Sequence, residues 1–254
     1  MGLENKMIDV IQDINEYFGT NYSNKEVESK AAYYISLLKE ELAKAYQVAN
    51  DNKPEAMKYF YGNENKSENV GLYYLYALAV WEGLCPERPT FTDYMVKFSK
   101  KYGVKKIFDF GMGIGSDAIL LAKAGFEVSG CDVGKHVDFL KWRIKKHGVN
   151  IKVFSEFPNE QVDMVILMAV VEHVWEPIKL LTHLAHYTKY FTWILDLHDD
   201  GTNKGMHCVE FYDQLIPFTH EGFIKCNGIE YLRKYPEEID HGRPQFYEVE
   251  VLDG

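Results

Sequence analysis

One stretch constrains this chain more than any other: Ile107-Phe-Asp-Phe-Gly-Met-Gly-Ile-Gly-Ser-Asp-Ala118, an apolar run that enters three alternate glycines and leaves in helical periodicity. Glycine lacks a Cβ, so backbone can approach a ligand closely, and a helix start presents unpaired N–H groups. A ligand is expected against this turn. The spacing selects among ligands. Dinucleotide binders use G-x-G-x-x-G, whose third glycine lets the helix pack close while its N-terminus faces a pyrophosphate. Here Gly111, Gly113 and Gly115 are evenly spaced and Ser116 stands at that third position. Asp109, two residues before the first glycine, sets a carboxylate at the strand's end, which repels phosphate and attracts ammonium.

A second acid, Asp132, follows the second predicted strand, 21 residues after Gly111. At that distance a strand-helix-strand unit brings it to the neighbouring strand's carboxyl end, where two oxygens can accept from both ribose hydroxyls. NAD and adenosyl ligands share that requirement. Asp109 tips the balance toward a nucleoside without phosphates that bears a cationic amino-acid tail, S-adenosyl-L-methionine. Taken singly, Asp109 also reads as a loop-bracing residue and Asp132 as a turn acid; the joint spacing favours the ligand.

Asp109-Phe-Gly111-Met-Gly113-Ile-Gly115 and Asp132 resemble the first motif and the ribose-binding acid of the class I S-adenosylmethionine-dependent methyltransferase superfamily. The resemblance runs from about residue 90 to 254. Val162 to Pro177, with Glu172-His173-Val-Trp-Glu176-Pro177, is similar to the family's fourth strand and E-H-V-x-D-P segment, with Glu176 replacing the usual Asp. His220-Glu-Gly-Phe223 looks like the passage into the terminal antiparallel hairpin. The resemblance implies a Rossmann-like α/β fold, a seven-stranded, mostly parallel sheet with an antiparallel last strand. It also implies an acid after the third strand for the adenine amino group, and Glu156 is the closest candidate. Phe157 beside it either faces the adenine ring or plugs the core, the core reading being preferred.

The rest of the chain agrees with an α/β reading. From 107 onward, strands are expected at Ile107–Phe110, Phe126–Cys131, Ile151–Phe154, Val162–Met168 and Phe191–Leu197, with helices at Asp117–Ala124, Val137–His147 and Pro177–Tyr187. Alternation of this kind implies a parallel sheet. Two extended runs, Phe223–Leu232 and Gln245–Val251, are expected to pair antiparallel at an edge. Residues 1–88 read instead as helices, with apolar spacing of three or four over Met7–Phe18 and Val27–Ala45, and a buried helix at Val70–Leu84 ended by Pro86 and Pro89. The expected division is a helical cap, 1–88, and a cofactor-binding domain, 89–254.

Charge narrows the partners. With 28 basic and 38 acidic residues the net charge is -10, which opposes phosphate backbones and anionic lipid. No apolar run is long enough to span a bilayer, and the start lacks a signal-like pattern. Four scattered cysteines without a C-x-x-C pair read as free thiols of a cytoplasmic protein. Nucleic acid and membrane are therefore excluded as partners, and a small-molecule methyl acceptor is expected.

Methyl transfer from a sulfonium needs alignment and exclusion of water more than heavy machinery, with a base where the acceptor carries a proton. Ligands of open α/β sheets sit beyond the strands' carboxyl ends. There the fourth strand delivers Met168 beside the cofactor and then His173, which either serves the acceptor or braces the turn. The fifth strand ends Leu195-Asp-Leu-His-Asp-Asp200, and His198 is the first choice of base. Asp196, His198, Asp199, Asp200 and His207 are also potential metal ligands, but no spacing is diagnostic and no metal is assigned. Tyr59, Tyr61, Tyr73 or Tyr76 of the cap could reach the acceptor; the alternatives are packing on the sheet or a homodimer surface. Two rival functions remain: an NAD-dependent oxidoreductase, opposed by Ser116, and a non-catalytic S-adenosylmethionine-binding partner or regulator.

Overall fold

The computed structural model describes residues 9–64, 68–84, 88–194, 208, 223–226, 229–234 and 245–250. Contacts divide the chain into two units. One holds residues 1–92, 112–124 and 132–153, and the other residues 93–111, 125–131 and 154–254.

The first unit begins with helices whose ends are written into the sequence. Asp9 caps α1 (Val10–Phe18) by accepting from the Gln12 N–H, and Gly19 closes it in the left-handed conformation, φ 65°. Ser23 and Glu26 form a reciprocal capping box at the start of α2 (Asn24–Val48). After the turn at 49–52 come α3 (Lys53–Glu64) and α4 (Glu68–Leu84). Helix α2 packs on α3 and α4, and α1 packs on α4. Tyr73 and Tyr76 of α4 are buried in this bundle, and Tyr76 stacks on Tyr34 at 5.6 Å, nearly parallel. Burial raises the pKa of both phenols; Tyr22 and Tyr34 add to the effect at Tyr76. Tyr59 is exposed on α3. The same unit holds α6 (Ser116–Lys123) and α7 (His136–Lys146).

In the second unit, β1 (Lys106–Phe110), β2 (Glu127–Cys131), β4 (Val162–Met168) and β5 (Thr188–Ile194) pair in parallel. Strand β8 (Gln245–Glu250) pairs antiparallel with both β5 and β7 (Ile229–Lys234), and β7 pairs antiparallel with β6 (Phe223–Cys226). Seven strands of the sheet thus lie in this unit, ordered β2-β1-β4-β5-β8-β7-β6. The remaining strand, β3 (Ile151–Phe154), is divided between the units after Val153. The core here is Phe108, Val165, Leu167, Phe191 and Trp193 with Leu181 and Leu184 of α8 (Pro177–Ala185). Phe157 packs edge-on against Phe108 at 4.8 Å, the core role preferred above.

The sheet is the expected α/β arrangement with its last strand antiparallel, but among the described residues it has eight strands rather than seven. The extended run expected over Phe223–Leu232 is split into β6 and β7. Asn227-Gly228 separates them, a dipeptide that two-residue hairpin loops favour. Helix α8 ends at Ala185 and β5 begins at Thr188, three residues before the expected Phe191, because Thr188 and Tyr190 are strand formers. Helices α3 and α5 (Arg88–Lys101) were not anticipated.

Candidate cofactor site

The glycine turn is where the chain leaves one unit for the other, between Gly111 and Met112. Its three glycines all have positive φ, 77°, 56° and 82° in order. That conformation alone disfavours any L side chain. What surrounds each position differs.

On the sheet side, Asp109 is buried in β1, opposite Gly130 and Ile166 in register. The Gly111 N–H donates to the Cys131 carbonyl at 2.9 Å. A Cβ on Gly111 would stand 2.5 Å from Val170 Cγ2, so this glycine makes room for the turn that follows β4. That turn is itself unusual. Met168 is buried opposite Ile194, and Ala169 adopts φ 54°, a left-handed conformation that costs a non-glycine residue about 1–3 kcal/mol. A short 3-10 turn, Val171–His173, follows. Glu172 is fully buried, and its carbonyl accepts from the Cys208 N–H at 2.7 Å. His173 is half-buried in that turn, and its N–H donates to the Val170 carbonyl. Glu156 lies exposed on the bend after β3.

On the helical side, Gly115 is the N-cap of α6 and makes room for protein, since a Cβ there would collide with Leu140 Cδ1. Gly113 lies under α4. Its N–H donates to Asp132 Oδ2 at 2.5 Å, and a Cβ would meet Glu82 Oε1 at 3.1 Å and Leu78 Cδ1 at 3.3 Å. Asp132 Oδ1 accepts from the Val133 N–H at 2.7 Å and lies 3.1 Å from His136 Nε2. Asp132 thereby ties the Gly113 turn to the start of the segment that leads into α7.

Two groups that the sequence reading missed complete this side. Glu82 of α4, 8% exposed, accepts from the Ser116 N–H at 3.2 Å, at the N-terminus of α6. Helix α4 presents Gly71, Tyr74, Leu78 and Glu82 at spacings of three and four, one face of a helix. Lys135 crowds Gly71, the Tyr74 ring lies 5.9 Å from that of His136, and Leu78 and Glu82 overlie Gly113. The second group is Arg143 of α7, whose side chain is fully buried. It donates to the Ile114 carbonyl at 2.6 Å, to Ser116 Oγ at 3.0 Å and to Asp13 Oδ2 at 2.7 Å. Asp13 of α1 also takes Lys146 at 2.8 Å and His147 at 2.9 Å. Burial raises the Asp13 pKa, but the Arg143 charge and hydrogen bonds from His147, Lys146 and Arg143 outweigh it, leaving it below the ordinary carboxylate value.

The structure therefore joins Gly113 to Asp132 directly, and sets Gly115 and Ser116 at the α6 start. Met168 and Gly111 lie in the sheet unit with the strained turn after β4. His198, with Asp196, Asp199, Asp200 and His207, lies outside the described residues. Among the described residues no group of three His, Cys, Asp or Glu could hold a metal ion. No described helix is long and apolar enough to cross a membrane. Cys131 and Cys208 are buried and form no disulfide.

Comparison with known proteins gives this geometry a family. No curated protein sequence matches the chain. Solved structures similar to it include StiE O-MT, 20% identical, covering 42% of this chain and 43% of that one, TM-score 0.38. The N-terminal domain of EvdMO1 with SAH bound is 15% identical over 65% and 69% of the two chains, TM-score 0.39. Magnesium protoporphyrin IX methyltransferase from Synechocystis PCC 6803 with bound SAH is 18% identical over 62% and 80%, TM-score 0.42. The chain spans less than half the length of the StiE O-MT structures it matches. The family described as "Methyltransferase domain" matches residues 77–225, more than half of the chain, from within α4 to β6. By that match the chain belongs to the methyltransferase-domain family, within the class I superfamily whose methyl donor is S-adenosyl-L-methionine.

Proposed function

We propose that this chain is a cytoplasmic enzyme that transfers the methyl group of S-adenosylmethionine to a small molecule. The observation that carries the reading is the Gly113 turn, held at positive φ and pinned by Asp132, the acid that follows β2. Cofactor binding is assigned to Asp109, Gly111, Gly113, Gly115, Asp132, Glu156 and Met168. Asp132 would accept from the ribose hydroxyls, and Glu156 from the adenine amino group. Bound there, the cofactor supplies an electrophilic methyl on a sulfonium whose departure leaves a neutral thioether. The chain's own residues align the acceptor, exclude water and take its proton where it has one; His198 and His173 are assigned to that side.

Residues 1–88 act as the helical cap of a methyltransferase domain over 89–254. A net charge of -10 supports a small acceptor over nucleic acid. The Glu82 carboxylate at the start of α6 weighs against the dinucleotide reading, because a diphosphate would need that helix end for itself. Isothermal calorimetry tests the proposal: S-adenosylhomocysteine should bind and NAD should not. Turnover over a panel of small acceptors then separates an enzyme from a non-catalytic binding partner. Binding of NAD alone, or binding of S-adenosylhomocysteine without turnover on any acceptor, would overturn the corresponding part.

A further inference from the structure

We infer that Asp13 of α1 is a positioning residue of the cofactor turn and acts on it through Arg143, an assignment that rests on the cofactor reading above. The glycines create the need. Gly113 and Gly115 flank Ile114 at positive φ, and the freedom that suits glycine to such a turn also leaves its peptide planes loosely determined. The Ile114–Gly115 peptide is held at both ends: its N–H donates to the Met112 carbonyl at 2.9 Å, and its carbonyl accepts from Arg143 Nη1 at 2.6 Å. The same nitrogen donates to Ser116 Oγ at 3.0 Å. One guanidinium thus grips the chain on either side of Gly115.

A buried cation keeps that grip only while its charge is balanced. Asp13 balances it, accepting from Arg143 Nε at 2.7 Å. The carboxylate is itself fixed by Lys146 at 2.8 Å and His147 at 2.9 Å, and Lys123 Nζ lies 3.2 Å from His147 Nδ1. The network therefore meets α6 at its first residue, Ser116, and at its last, Lys123. All of these residues belong to one unit, yet Asp13 stands well before residue 77, where the family match begins. Hydrogen bonds from a guanidinium are of the stronger, charge-assisted kind. With Asp13 neutral, Arg143 turns toward other acceptors and the Ile114–Gly115 plane loses its hold, so the turn meets the cofactor in more than one conformation and binds it less tightly.

Calorimetric titration with S-adenosylhomocysteine, at a temperature where dichroism shows each protein folded, separates positioning from mere stability. Asp13→Asn should weaken the ligand by about fivefold or more at unchanged stoichiometry. Ile14→Ala, the next residue of α1 and fully buried, loses stability by emptying core space but removes no charge, and should keep the wild-type dissociation constant. On an Arg143→Met background, Asp13→Asn should weaken the ligand no further, because its route to the turn is gone. Hydrogen exchange on wild type reads the same coupling without a variant: saturating S-adenosylhomocysteine should slow amide exchange over α1 more than over α2. Wild-type affinity in Asp13→Asn, an equal loss in Ile14→Ala, a full further loss on the Arg143→Met background, or equal slowing of α1 and α2 would each overturn the assignment. Failure of wild type to bind S-adenosylhomocysteine would instead sink the cofactor reading itself.

Discussion

Asp13→Asn offers a sharp test of how the turn is held, because it removes one charge and leaves its partner buried. Arg143 is fully buried, 130 residues from Asp13 in the sequence but in the same unit, and Asp13 is 2% exposed. Breaking a buried pair by removing one partner costs about 3–5 kcal/mol, since the other charge stays desolvated. Arg143 would keep the Ile114 carbonyl and Ser116 hydroxyl, which places the expected loss near the lower end, about 3 kcal/mol. At roughly 2–4 °C per kcal/mol for a chain of this size, the melting temperature should fall by about 6–12 °C. Urea unfolding of Asp13→Asn, Arg143→Met and the double variant closes the cycle. The double variant should be less destabilised than Asp13→Asn alone, because a buried pair can be replaced by apolar groups at little cost. An Asp13→Asn protein within about 0.5 kcal/mol of wild type, or losses that simply add, would refute the buried-charge account.

Three further outcomes are expected. Gly113→Val should abolish binding of S-adenosylhomocysteine while leaving far-ultraviolet dichroism nearly unchanged, because its Cβ would press on Glu82 and Leu78 from a backbone at φ 56°; retained affinity in calorimetry would contradict the assignment of the turn. Asp132→Ala should weaken that affinity by about 1.5–3 kcal/mol through lost charge-assisted hydrogen bonds, and an unchanged dissociation constant would return Asp132 to the scaffold. Acid should cost stability through Asp13. Its folded pKa is depressed, so its contribution is complete above the unfolded value of about 3.9 and is lost as pH falls through the lower folded value. Urea midpoints between pH 2.5 and 6 should therefore fall more steeply at the acid end for wild type than for Asp13→Asn, and parallel curves would count against it.

The parts of the site that were legible in sequence are those written within one strand-turn-helix. Gly113 and Asp132 are 19 residues apart, and a strand-helix-strand unit can bring such positions together by itself. Glu82 and Asp13 had no such grammar. Each is an acid on a face otherwise spaced for burial, Asp13 between Ile11 and Ile14 and Glu82 after Ala79, and that misplacement was the available signal. The two unanticipated helices share one cause. Pro89, expected to end a helix, is the second residue of α5, and Pro54 is likewise the second residue of α3, where a missing N–H costs nothing. A proline ends the helix before it and starts the next one equally well; only the residues downstream decide.

Dinucleotide folds and this chain begin from the same resource, a helix whose first N–H groups point at a glycine turn, and they diverge in what satisfies those groups. Where a diphosphate is the ligand, the helix end is left for it and the third glycine keeps the approach open. Here Ser116 stands at that position, its hydroxyl accepts from Arg143, and its N–H is answered by Glu82. The chain thus fills an anion site with its own anion. A carboxylate so placed is stabilised by the helix start and packs over Gly113 together with Leu78. A phosphate at that helix end would meet this carboxylate, so the arrangement opposes a diphosphate without changing the strand-turn-helix itself. That opposition comes from α4, a helix that lies outside the glycine motif.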